Sequence, residues 1–522
     1  MKSTSLSLIA GAVALAAVTG FTALTVPGDD GATEAGASSR LPVERSSLLC
    51  PAPGLSDLAE TAYTSFTPPA NGEGEAGTAE LKSPAADTKK DDKEKDKSKS
   101  DDKSKSKSED KSKDKSKDKA AGSDKPVVAL KEPGKPVTAD VSGSDAPALV
   151  GTATGRLAPG WSAQQTTTVE AGDGRGVLGV SCTAPDTDFW FPAASTAKTR
   201  EDYVNLTNPD DTAAVADIEL YGPDGTLKSD VGEGITVPAG SGVRVLISTL
   251  TSKAAEDVTV HVTTRTGRVG AVVRTADSKT GSDWLTASAA PAGTLVLPGI
   301  PADATSVRLV AFAPGEDDAD LTVRLLGKTG PFAPVGNEDL HVKSRMTAGV
   351  DLKNLTRGEA GSLLLTPTQK DRATPVVAAL RVVRGKGDKQ EVGYIPATGP
   401  VGAQATAADN RSKGSTLSLT APGAAGTVKV TASAGSKAGT PVSKTYKVAA
   451  GTTLAVTPPV PSGLKGTYAL TVQTQSGGPV HAARTLALPQ DGIPMFTVQT
   501  LPDDGGTVEV PVAEQDLSVL DD

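Results

Sequence analysis

Ser195-Thr196-Ala197-Lys198 has the Ser-x-x-Lys spacing of penicillin-recognising enzymes, where the lysine sits one helical turn after a nucleophilic serine. Tyr203-Val204-Asn205 and Lys279-Thr280-Gly281 complete an apparent triplet. The context argues against that chemistry. Ser195 follows Phe189-Trp190-Phe191-Pro192, an apolar strand ending in proline, so no helical turn brings Lys198 beside it. Tyr203 comes only eight residues after Ser195, whereas the second motif of those enzymes lies on a distant part of the fold. Lys328-Thr329-Gly330 repeats the third motif without the other two. Gly327-Lys328-Thr329 lacks the leading glycine of a phosphate-binding loop, since position 322 is Thr322. Asn208-Pro209-Asp210-Asp211 lacks the spaced oxygens and closing glutamate of a calcium loop, and Glu316-Asp317-Asp318 reads as a solvated turn. Two cysteines and three scattered histidines give no metal-ligand spacing. No enzymatic activity, catalytic residue, metal or cofactor is expected.

Two residue groups remain. Cys50 and Cys182 fit a disulfide in an exported chain, with two unrelated buried thiols as the alternative. The candidate binding residues are Trp190 with Phe189 and Phe191, Trp161 and Trp284, whose rings could stack on sugars. In a chain only 3% aromatic, packing in small cores competes for each ring.

The elements that carry these residues are strands. Gly (55) and Pro (37) are frequent, and Val and Thr recur in short alternating runs, which favours β structure in a chain long enough for roughly three to four domains. Ala271-Val272-Val273-Arg274 returns as Ala378-Ala379-Leu380-Arg381 and His481-Ala482-Ala483-Arg484, with 107 and 103 residues between the arginines. Upstream of each come a small-residue turn (Ala239-Gly240-Ser241-Gly242-Val243, Ala348-Gly349-Val350, Ala450-Gly451-Thr452) and an apolar strand (258–262, 362–365, 468–472). A strand ending in proline opens each unit, at 189–192, 295–298 and 419–422, and returns at 508–511. Three markers in one order indicate repetition. We expect an all-β chain of three tandem antiparallel β-sandwich (Ig-like) repeats, at 182–289, 290–410 and 411–522. Arg274, Arg381 and Arg484 are expected to do one structural job per repeat. The strand at 508–511 is expected to return to the first repeat and close a pseudo-threefold ring.

Ahead of the repeats lie a stalk with the first strands and Cys50 (29–66), a Lys/Asp/Ser-rich segment (67–125) and a β-rich preamble (126–181). Residues 89–119 hold only 14 Lys, 10 acidic residues and 7 Ser, so no apolar group offsets the entropy of ordering and disorder is expected. Lys2 precedes an uncharged stretch and Asp29 and Asp30 follow it, so 1–28 is expected to be a signal-anchor helix with the rest exported; a cleaved signal peptide is the alternative.

Arg175-Gly176, Cys182, Pro185 and Asp188-Phe189-Trp190-Phe191, followed by repeats with Ala-Gly turns and by Asp283-Trp284, resemble a family of exported, membrane-anchored proteins of high-GC Gram-positive bacteria built on a domain of unknown function. The resemblance covers roughly residues 150–522, implies an envelope location and supplies no activity. The expected protein is a non-catalytic β-sandwich scaffold or binder of envelope components, anchored at the cell membrane with its C-terminal part outside, or secreted. An accessory protein or enzyme acting on envelope polysaccharide is the alternative. The partners expected are the membrane, through the N-terminal helix, and an envelope glycan or another envelope protein. The net charge of −9 argues against nucleic acid.

Overall fold

The computed structural model describes residues 39–54, 56–69, 75–84, 125–144, 146–172, 174–229 and 231–510. The expected N-terminal helix (1–28) and most of the Lys/Asp/Ser-rich segment lie outside them. Among the described residues no helix is long and apolar enough to cross a membrane.

The chain is all-β and its sheets are antiparallel. One strand order recurs four times, at 45–181, 188–285, 295–396 and 404–500. With the eight main strands of each unit counted in chain order, one sheet runs first–sixth–third–fourth and the other fifth–second–seventh–eighth. In the second and third units the fourth strand is split into two short pieces, both paired to the third. Each pair of sheets encloses a core: Phe191 and Val260 face Val204 and Leu206 in the second unit, and Leu297 and Val323 face Leu309 and Leu380 in the third. In the fourth, Val430 and Leu470 face Leu417 and Leu419. In the first, Leu81 and Leu149 face Tyr63 and Ala163 around the Cys50–Cys182 disulfide. Each unit is thus a β-sandwich.

The stretch expected to be a preamble carries the same order as the other three. Its third and fourth strands, Ala79–Lys82 and Val128–Leu130, form a hairpin with Ala79 opposite Leu130 and Leu81 opposite Val128, and the charged run belongs to the connection between them. The markers at 239–243, 348–350 and 450–452 fall at the fifth strands of the later sandwiches, those at 258–262, 362–365 and 468–472 in the sixth, and the arginines in the seventh. The proline marker slips. Phe189–Pro192 and Leu295–Pro298 lie in first strands, each followed by a β-bulge, but Leu419 to Ala421 belong to a second strand, so the last sandwich begins at 404 rather than 411. At the bulge of the second sandwich Ala193 takes φ +81°, the left-handed backbone that the third fills with Gly299 at +92°.

The closing strand also differs from expectation. Thr507–Val510 pairs with Ser39–Pro42 in a two-stranded sheet, a small unit distinct from the sandwiches. Within the larger unit the closure is made by the eighth strands. Gly176–Ser181 packs on Gly281–Leu285, that on Lys389–Pro396, that on Phe496–Thr500, and that back on Gly176–Ser181. The cycle has four members, and the first and last sandwiches meet.

Candidate functional site

Asp283 lies in the eighth strand of the second sandwich and is wholly buried. Its carboxyl meets all four sandwiches. Oδ1 accepts the Gly179 N–H of the first at 3.2 Å and the Thr497 hydroxyl of the fourth at 3.1 Å. The N–H groups of Tyr394, in the third, and of Trp284, beside it in its own strand, add to this. Burial raises its pKa well above the carboxylate range, and these donors pull only partly against that.

Glu391, in the eighth strand of the third sandwich, is equally buried. Neither of its oxygens has a well-formed hydrogen bond. Desolvation pushes its pKa up to about 9, with Asp283 adding to the rise and the Arg175 guanidinium and Val177 N–H opposing it. The carboxyl fits because two glycines leave room. A Cβ on Gly176 would stand 2.7 Å from Oε1, and one on Gly281 2.8 Å from Oε2, at φ of +150° and +82°. Arg175 fastens the same end of the strands, donating to the Lys279 carbonyl at 3.1 Å and the Gln390 carbonyl at 2.7 Å. With its pKa near 9 Glu391 keeps its proton at neutral pH, while Asp283 ties the sandwiches together through the hydrogen bonds it accepts.

At the other end of the eighth strands is a cavity of about 240 Å³, with walls from the first, second and fourth sandwiches and from the connections on either side of the third. Val180, Phe189, Val272 and Val498 give it an apolar surface; Ser181, Thr286, Ser288, Thr398 and Gln499 add hydroxyls and an amide. No charged residue lines it.

The residues singled out in the sequence are dispersed. Ser195 is buried and donates to the Ala255 carbonyl at 3.0 Å, while Lys198 points to solvent. The neighbouring chemistry is an ion pair that the sequence reading missed. Asp202 accepts from Arg200 at 2.7 Å and from the Ser195 N–H at 2.8 Å, and Arg200 donates on to the Tyr394 hydroxyl of the third sandwich at 2.9 Å. Burial and the Arg200 charge compete on Asp202, and burial wins, raising its pKa. Phe189 and Phe191 line the second core. Trp161 fills the first core and donates to Ser65 at 2.9 Å. Trp284 packs against Ala59, Val169, Leu178 and Val180 across the boundary between the first two sandwiches. Trp190 alone is half-buried. Its ring stacks on His261 at 3.6 Å and leans on Phe312 of the third sandwich at 5.4 Å.

The three arginines do not share one position. Val273 and Leu380 face the cores of their own sandwiches, so strand alternation turns Arg274 and Arg381 outward. Arg381 reaches the second sandwich, donating to Thr280 at 2.9 Å, and Arg274 packs beside Gly54 and Gly174 of the first. Ala483 faces the third sandwich, so Arg484 lies on the side of its own core, fully buried, donating to Gln164 of the first sandwich at 3.1 Å and to Gln499. Burial lowers its pKa to about 10. Of the other residues weighed, Asn208 holds its turn through three carbonyls, and among the described residues no cluster could hold a metal ion.

Residues 137–459, more than half of the chain, match the model of DUF5719, a family of unknown function. The chain belongs to this family. The DUF5719 match runs from the fifth strand of the first sandwich to the fifth strand of the fourth, and so includes the second and third whole, with Asp283 and Glu391. No curated protein and no solved structure is found to match the chain.

Proposed function

We propose that this DUF5719 protein is a non-catalytic scaffold or binder of cell-envelope components, held at the cell surface by its N-terminal segment with the sandwiches outside, or secreted after that segment is removed. The observation that carries the reading is the disulfide Cys50–Cys182, in a body whose first and last sandwiches close on each other. A buried disulfide spanning 132 residues belongs to an oxidising compartment, which fits the charge pattern around the N-terminal apolar stretch. Both junction carboxyls are sealed from solvent and that of Asp283 is spent on contacts between sandwiches, which supports a structural body over a reactive one.

The test is made on intact producing cells. An external protease is expected to remove a C-terminal epitope, and the recovered chain is expected to resist thiol labelling until reduced. Recovery from the cytosol with two free thiols would sink the proposal. Binding to purified envelope material is measured by co-sedimentation, with Trp190→Ala as the control for the one candidate ring that is only half-buried. The polysaccharide-enzyme alternative draws no support from the packed positions of Trp161 and Trp284.

A further inference from the structure

We propose that the cavity at the junction of the four sandwiches is a binding site for a small neutral amphipathic molecule: an aliphatic body ending in a carbonyl-type acceptor, as in an ester or amide. The site goes beyond the envelope reading, which concerns the protein's location and its large partners. Three observations carry it. First, the walls come from the first, second and fourth sandwiches and from the connections that enter and leave the third, so the cavity exists only in the closed body and is not a gap inside one core. Its 240 Å³ far exceeds the space one water needs and approaches the size of small-molecule sites. Second, the lining is mainly aliphatic and wholly uncharged, which favours an apolar body and penalises an ion stripped of its water. Third, two wall residues, each more than nine-tenths buried, carry a polar atom without a hydrogen-bond partner: Ser288 Oγ and Gln499 Nε2. Buried polar groups are nearly always paired, so such orphans call for a partner that completes them. Gln499 Oε1 already accepts from Arg484, which fixes the amide orientation and leaves Nε2 as a donor in need of an acceptor. A carbonyl oxygen supplies that acceptor.

Gly399 gives a clean way to close the site, because a Cβ there meets nothing within 4 Å and a larger side chain has open space to occupy. The experiment is isothermal titration of the full oxidised chain at pH 7.5 with octanamide and with octanoate, which differ only in the head group. Octanamide is expected to bind saturably at one per chain, and octanoate at least about tenfold more weakly, since no cation lines the walls. Gly399→Leu is expected to cut octanamide affinity at least about tenfold, and Ser288→Ala about fivefold. The inference is overturned by absence of saturable octanamide binding, by equal affinity for octanoate, or by unchanged binding in a folded Gly399→Leu chain. Should either variant fail to fold, the comparison of the two probes on the unaltered chain decides alone. None of these outcomes bears on the cell-surface test, so the two readings stand or fall separately.

Discussion

Glu391 keeps its proton at neutral pH because ionising it would put a charge where no water reaches it, and that makes stability depend on pH. The ordinary pKa of a glutamate, 4.5, applies to the unfolded chain, while the folded value is about 9. Below 4.5 both states hold the proton and its contribution to stability is complete. Between 4.5 and 9 only the folded state holds it, so stability falls as pH rises, and beyond 9 the contribution is gone. His481 works on the acid side. It is buried against the Thr398 carbonyl with its pKa lowered from 6.5, so the unfolded chain takes up a proton first and stability drops as pH falls below about 6.5. Glu391→Gln removes the titration and keeps the shape. Its melting temperature is expected to exceed that of the parent at pH 8 by about 2–4 °C or more, with the difference vanishing near pH 4.5. Equal melting curves at both pH values would show that Glu391 is ionised in the folded chain. Arg484 shows the limit of reading single residues. Its spacing matched Arg274 and Arg381 to within a few positions, yet one step of strand register turns it to the other side of its strand.

At the scale of elements, the signals that succeeded were local. Turns rich in small residues fell at the fifth strands, alternating apolar runs were the sixth and the arginines lay in the seventh, because alternation and turn chemistry are properties of a few adjacent residues. The first sandwich escaped for two reasons. Its seventh strand, Ser162–Val169, carries Gln164 and Gln165 where an arginine marked the others, and the charged run separates two strands that are neighbours in space. The central site was less legible still. Asp283-Trp284 stood out only as part of a family resemblance, and nothing in the spacing of Asp283, Glu391 and Thr497 announces that they meet, since contact between sandwiches is set by docking rather than by period. The hairpin geometry makes a prediction at this scale. With Leu81 paired to Val128, deleting residues 85–124 shortens the connection between these strands without removing a described contact. Loop closure costs less for a shorter loop, so unfolding by denaturant is expected to show unchanged stability or a gain of up to about 2 kcal/mol. A clear loss would mean that the segment packs on the body.

For the whole molecule, the cores run across sandwich boundaries. Phe496 and Val498 of the fourth sandwich join the third core, Tyr394 and Val392 of the third join the second, and Phe66 of the first packs on Ala408 and Ala469 of the fourth. Shared cores predict a single cooperative unfolding transition rather than four. The disulfide restrains the unfolded chain over 132 residues, so Cys50→Ser with Cys182→Ser is expected to lower stability by about 4–5 kcal/mol in the chain-entropy account, measured as a shift in denaturant midpoint at constant slope. Loss of the fourth sandwich's fit to the first under the same change would appear as a second transition.

The closed cycle of eighth strands also fixes how many sandwiches the chain can hold. A linear array gains or drops a repeat with little harm, because each copy touches only its neighbours and one end is always free. Here no end is free. A fifth copy would find no exposed eighth strand to join, and deletion of one would bare two apolar faces and strand the carboxyl of Asp283. Duplication, the ordinary way for tandem proteins to lengthen or diversify, is barred at the junction. Variation in length has to enter through the connections between strands, and the long charged run between Lys82 and Val128 is where this chain has taken it.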